Sequence, residues 1–155
     1  MLKMAFEHDY KAFPELSNRQ LEELQFTSPH VQITEDFEAE VVKVHDGDTI
    51  TLRTSFRDFD FPLRLLDIDS PEMSEGGQEA KEWLSSKLLF KKIKVLIDSR
   101  NRVGKYGRLL GHVLFGGLNV AHEEIALGLA KEFGTKKEGE VPNLYGLLNQ
   151  KQWFT

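Results

Sequence analysis

Residues 37–65 read FEAEVVKVHDGDTITLRTSFRDFDFPLRL. Two runs rich in β-branched residues, Phe37 to Val44 and Thr49 to Arg53, flank Asp46-Gly47-Asp48. Asp-Gly between such runs is a strong hairpin signal, because the glycine accepts the backbone geometry that a tight turn imposes. Phe59, Phe61, Leu63 and Leu65 then alternate with polar residues, as they do along a strand with one buried face. The stretch therefore predicts a three-strand meander.

Downstream, the period changes. From Gln78 to Phe90 the apolar residues Ala80, Trp83, Leu84 and Leu88 recur at helical spacing, and Trp83 is read as core rather than as a base-stacking platform. Ile93, Val95 and Ile97 alternate with Lys92, Lys94 and Asp98 as a fourth strand. Leu110, His112 and Leu114 mark a fifth, ending at Gly116-Gly117, and Ala121, Ile125 and Leu129 give a second helix closed by Gly134. Upstream, Ser17-Asn18-Arg19-Gln20 before Leu21 and Leu24 has the form of a capping box opening a short helix. The expected fold is α+β but mainly β: a five-stranded Greek-key barrel of the oligonucleotide/oligosaccharide-binding (OB) type with two to three helices. The expected organisation is an acidic N-terminal extension (1–36), the barrel domain (37–134) and a C-terminal tail (135–155).

The chain of 155 residues suits one domain, which would bury roughly 70% of its unfolded surface. With no cysteine it has neither disulfides nor thiolate metal sites. The first residues are too acidic for a signal peptide and no apolar run reaches the ~18 residues of a membrane span, so a cytoplasmic protein without membrane contact is expected. Residues 1–38 carry three basic and eight acidic side chains, which accounts for the whole net charge of −5. Residues 81–108 carry nine basic and two acidic side chains, a candidate phosphate-facing patch or a solvated face.

Three segments supply chemistry: Asp46-Gly47-Asp48-Thr49, Arg64 through Asp69-Ser70-Pro71-Glu72, and Lys105-Tyr106-Gly107-Arg108. Separated carboxylates with two arginines are what metal-assisted attack on a phosphodiester needs: hard oxygen ligands, a base for water, and fixed cations for phosphate. Taken singly, each has an ordinary reading. Asp46-Gly47-Asp48 can be only a turn, Arg64 can pair with Asp67 on the surface, and Tyr106-Gly107 can be only a turn. The five histidines, His8, His30, His45, His112 and His122, lack zinc-site spacing. An EF-hand register starting at Asp46 would put Thr51 at the obligatory glycine and Arg57 at the bidentate glutamate, which excludes it.

Order and spacing together carry a family resemblance. Asp-Gly-Asp-Thr in the first turn, Arg-Leu-Leu-x-x-Asp-Ser-Pro-Glu after the third strand, Tyr-Gly-Arg before the fifth and Gly-Leu-Ala-Lys in the last helix make the chain resemble the staphylococcal nuclease (thermonuclease-like) family over about residues 37–133. The resemblance implies a calcium-dependent nuclease that cleaves DNA or RNA, single strands favoured, and leaves 3′-phosphate ends. It implies one Ca²⁺ held by Asp48, Asp69 and the main-chain carbonyl of Ser70, with Asp46 orienting that shell. It further implies Glu72 as general base, Arg64 and Arg108 as phosphate clamps, and Lys105 and Tyr106 on a terminal phosphate. Three departures stand out. The connection Met73 to Gln78 is short, Glu132-Phe133-Gly134-Thr135 stands where the family has base-stacking tyrosines (Phe133 or Tyr145 could substitute), and Ala121 replaces an asparagine. The competing expectations are a noncatalytic single-stranded nucleic-acid-binding barrel and an interaction module docking through its acidic N-terminal segment.

Overall fold

The Asp46-Gly47-Asp48 turn joins the first two strands of a barrel. The structure is a computed structural model and describes residues 14–18, 31–104 and 107–132. In chain order the elements are β1 (Phe37–Val44), β2 (Thr49–Arg53), β3 (Phe61–Leu65), β4 (Ile68–Asp69), a 3-10 turn (Met73–Glu75), α1 (Gly77–Leu88), β5 (Lys92–Leu96), β6 (Leu109–Phe115), β7 (Leu118–Asn119), α2 (Val120–Ala126) and β8 (Lys131–Glu132). The sheet runs β3-β2-β1-β5-β6-β7, and a further parallel pairing of β3 with β6 closes β1, β2, β3, β6 and β5 into a five-stranded barrel. With its two helices this is the expected OB-type α+β fold.

The expected meander is present with β1 and β2 at the expected residues and β3 starting at Phe61. Its alternation fills the barrel: Val41, Ile50, Leu52, Phe61, Leu63 and Leu65 are fully buried, with Val95, Leu109 and Val113 from the other strands. Each such side chain contributes about 1.5–3 kcal/mol relative to exposure. Helix α1 adds Ala80, Leu84 and Leu88 to the core, while Trp83 lies only partly buried at its edge.

The expected fifth strand, marked by Leu110, His112 and Leu114, is present as β6, and its barrel-facing residues are Leu109 and Val113; Leu114 pairs with Leu96 in a separate cluster and His112 faces Asp67. Between Leu109 and Val113 the inward position is Gly111, where a Cβ would stand 2.7 Å from Val95 Cγ1. The extent of the second helix is corrected. Helix α2 ends at Ala126, because Gly128 adopts a left-handed φ of 76° and turns the chain into β8. Leu129 therefore lies beyond the helix, and Gly134 lies outside the described residues. Of the capping-box segment only Ser17 and Asn18 are described.

The basic run is no continuous patch either. Arg102 is buried against Glu15, Lys87 Nζ lies 3.2 Å from Glu123, and Lys92 and Lys94 stand opposite Glu40 and Glu38 across the β1–β5 ladder. No helix among the described residues is long and apolar enough to cross a membrane.

Candidate active site

The β1–β2 turn is built to be approached closely. His45 N donates to Thr49 O at 2.9 Å, and Asp48 N donates to the Asp46 side chain at 3.0 Å. A Cβ on Gly47 would stand 2.7 Å from Ala80 Cβ and 2.8 Å from Ser70 Cβ, so only glycine lets the turn sit against α1 and the segment after β4. Gly77 does the same at the head of α1, where a Cβ would meet Pro71 O at 2.3 Å and Glu72 O at 2.6 Å. These two contacts fix the carboxylate turn and the Pro71-Glu72 segment on one side of the barrel.

Asp48 is nearly buried and fully engaged. Its Oδ2 accepts from Ser70 N and Ser70 Oγ, both at 3.0 Å, and its Oδ1 accepts from Thr49 Oγ1 at 3.0 Å. Burial opposes the charged form, but hydrogen bonds from Asp46, Ser70 and Thr49 and the Arg64 charge outweigh it and hold the Asp48 carboxyl below the usual range. Burial and the neighbouring Asp48 raise Asp46 instead.

Arg64, on β3 opposite Thr49, is aimed by two carbonyls: Nη1 donates to Leu65 O at 2.7 Å and Ile68 O at 2.8 Å. Its Nη2 then lies 3.5 Å from Asp48 Oδ2 and 3.6 Å from Asp69 Oδ1. The simple surface bridge to Asp67 is not formed; Asp67 takes a left-handed φ of 67° and turns toward His112 Nε2 at 3.8 Å. Asp69, on β4 beside Lys131 of β8, is exposed.

Arg64 and Arg108 line one pocket of about 320 Å³ together with Leu66, Asp67, Asn101 and Leu110. Arg108 is half-buried and has no ion-pair partner among the described residues. Glu72 is exposed at the entry to the 3-10 turn, its main-chain carbonyl accepting from Glu75 N and Gly77 N, both at 2.8 Å. The structure thus gathers Asp48, Asp69, Ser70 and Arg64 in one cluster, places Arg108 on a pocket that Arg64 also lines, and leaves Glu72 open to solvent. Lys105, Tyr106, Phe133 and Tyr145 lie outside the described residues.

Residues 62–151, more than half the chain, match the family described as Staphylococcal nuclease homologue. The chain belongs to that family. A Shigella flexneri protein named Micrococcal nuclease is 37% identical over 82 residues, which cover 50% of this chain and 42% of that protein. The chain thus aligns with less than half the length of that relative.

This staphylococcal nuclease homologue carries one group at its site that the sequence reading passed over. Glu124 on α2 is fully buried, its Oε1 lies 3.2 Å from where a Gly47 Cβ would stand, and neither carboxyl oxygen has a hydrogen-bond partner among the described residues. Burial, with Asp48 and Asp46 adding and Arg64 opposing, pushes its carboxyl up to about 9. The signal was present: Glu124 stands three residues after Ala121, on the inward face of the same helix.

The donor set suits a hard cation. The acceptor side chains beside Asp48, those of Asp46, Thr49, Ser70 and Glu124, all offer oxygen, while His45 hydrogen-bonds Thr51 at 2.8 Å and His112 faces Asp67. Carboxylates outnumber guanidiniums there, with Asp46, Asp48, Asp69 and the unpartnered Glu124 around Arg64. Among the described residues no three acidic, histidine or cysteine side chains form a complete cage, so a cation would need main-chain or water oxygens as well.

Proposed function

We propose that this staphylococcal nuclease homologue is a calcium-dependent phosphodiesterase that hydrolyses DNA or RNA, favours single strands and leaves 3′-phosphate ends. The observation that carries the reading is Arg64 held beside both Asp48 and Asp69 while lining one pocket with Arg108. Asp48, Asp69 and the Ser70 carbonyl would hold Ca²⁺, which would supply Lewis-acid stabilisation to the phosphoryl group.

The chain's own groups do the rest. Arg64 cannot swing freely, because two carbonyls anchor Nη1; Nη2, beside Asp48 and Asp69, would donate to a nonbridging oxygen of the phosphate. Arg108, which lines the same pocket, would bind the same anion, so both guanidiniums would strengthen their bonds as charge builds in the transition state. Glu72, exposed and with no side-chain hydrogen bond among the described residues, takes the proton of the attacking water. The new P–O bond forms as the bond to the 5′-oxygen breaks, which leaves phosphate on the 3′ side.

The test is clearing of a gel containing denatured DNA or RNA, with Ca²⁺ and with excess chelator. Clearing with Ca²⁺ alone is the expected result, and full activity in chelator refutes the metal dependence. Retention of single strands without cleavage under both conditions would instead make the protein a noncatalytic OB module.

A further inference from the structure

We propose that residues 14–18 are a strap that positions Arg108, with Glu15 and Arg102 as its positioning residues. This rests on the reading of Arg108 as a phosphate-binding group. The Glu15 side chain is fully buried between two guanidiniums, with Arg57 Nη2 at 2.9 Å from Oε2 and Arg102 Nη1 at 3.2 Å from Oε1, and its Oε1 also accepts from Ile33 N at 2.9 Å. Arg102 is equally buried and uses its whole fork: Nη1 donates to Ile33 O at 2.6 Å, Nη2 to Leu16 O, and Nε to Asn18 Oδ1 at 3.2 Å. Arg57 donates to Val31 O at 2.7 Å and stacks over the Phe61 ring at 4.6 Å, which ties the cluster to the barrel wall.

The far side of the loop is held by main chain. Glu15 N donates to Gly107 O at 3.0 Å, the carbonyl immediately before Arg108. Arg102 O accepts from Leu110 N at 2.9 Å, and Gly104 N donates to Arg108 O at 2.7 Å. One short segment therefore grips the chain at two points, by side chains at Arg102 and by backbone at Gly107. Asn18 Nδ2 extends the grip to Ser99 O at 2.9 Å.

Stability alone is a poor account of this arrangement. A buried ion cluster gains little over apolar packing of the same volume, because desolvation offsets the attraction. What the cluster does specify is geometry, since all three nitrogens of the Arg102 fork are tied, to Glu15, Ile33, Leu16 and Asn18. The consequence falls on Arg108, which directly follows the gripped Gly107 and shares a pocket with Arg64.

The experiment is a double-mutant cycle in the full chain, with a single-stranded oligodeoxynucleotide as substrate. Asn18→Ala, Glu15→Gln, Arg108→Ala and the two doubles are compared in kcat, KM and melting temperature. Asn18 is exposed and its loss removes only the bonds to Arg102 and Ser99, so Asn18→Ala keeps the fold and serves if Glu15→Gln does not. The expected result is a fall in kcat of about 2- to 10-fold for Asn18→Ala and of up to about 100-fold for Glu15→Gln, the range a misplaced group produces, with KM little changed. In the Arg108→Ala background neither change lowers kcat further. Equal losses with and without Arg108, or no loss in a folded Asn18→Ala protein, overturn the proposal. Wild-type turnover by Arg108→Ala would separately show that the reading of Arg108 itself is wrong.

Discussion

Glu124 makes a measurable claim about stability and pH. Its carboxyl is pushed from an ordinary value of 4.5 up to about 9, because it is buried, faces Asp46 and Asp48, and gains only partial relief from Arg64. The native state therefore holds a proton that the unfolded chain gives up. Its contribution is fully present below the unfolded pKa and is lost progressively as pH rises toward the folded value. Each unit corresponds to about 1.4 kcal/mol, so stability should fall by about 4 kcal/mol between pH 5.5 and 8.5 from this group alone, as an upper figure. Glu124→Gln keeps the shape and removes the titration, so it should flatten that slope and be several kcal/mol the more stable protein at pH 8.5, with a small difference at pH 5.5. Urea midpoints followed by tryptophan fluorescence, in chelator and at several pH values, measure both. Parallel stability–pH curves for the two proteins would refute the burial argument.

Glu72→Gln should retain oligonucleotide binding and lose kcat by a factor on the order of 10² to 10⁴, as for removal of a general base; wild-type turnover would take the base role away from Glu72. Arg108→Lys should lower kcat/KM by at least ~10-fold, since an ammonium cannot present a planar fork to phosphate, and steady-state kinetics at fixed salt decide this. Gly47→Ala should cost about 1–3 kcal/mol by overpacking against Ala80 and Ser70, and it should weaken Ca²⁺ binding measured by calorimetry.

Much of the fold could be read locally. The limits of β1 and β2 follow from β-branched runs that stop at a turn, and α1 follows from Ala80, Leu84 and Leu88 at helical spacing. The inward face of β6 could not, because a glycine at its centre removes the apolar side chain that would have marked it. The clustering of Asp48, Ser70 and Arg64 was implied by family resemblance, whereas the aim of Arg64 depends on the Leu65 and Ile68 carbonyls coming within hydrogen-bond reach of its Nη1. Arg102 looked like one more surface cation. Its partner lies far away in sequence, and no local pattern announces that a buried glutamate will arrive there. Glu124 was missed because attention to apolar periodicity passes over an acidic residue on an apolar face.

The parallel pairing of β3 with β6 sets Arg64 beside Leu110, two residues beyond Arg108. That pairing is also the seam that shuts the barrel, and it joins strands distant in the chain. Long-range pairings of this kind carry most of the loop-closure entropy and tend to form late and slowly. Before the seam closes, the two arginines have no shared pocket to line. On the proposed function, refolding and the recovery of anion affinity should then coincide, and a chain caught midway in folding should hold no half-built cutting centre.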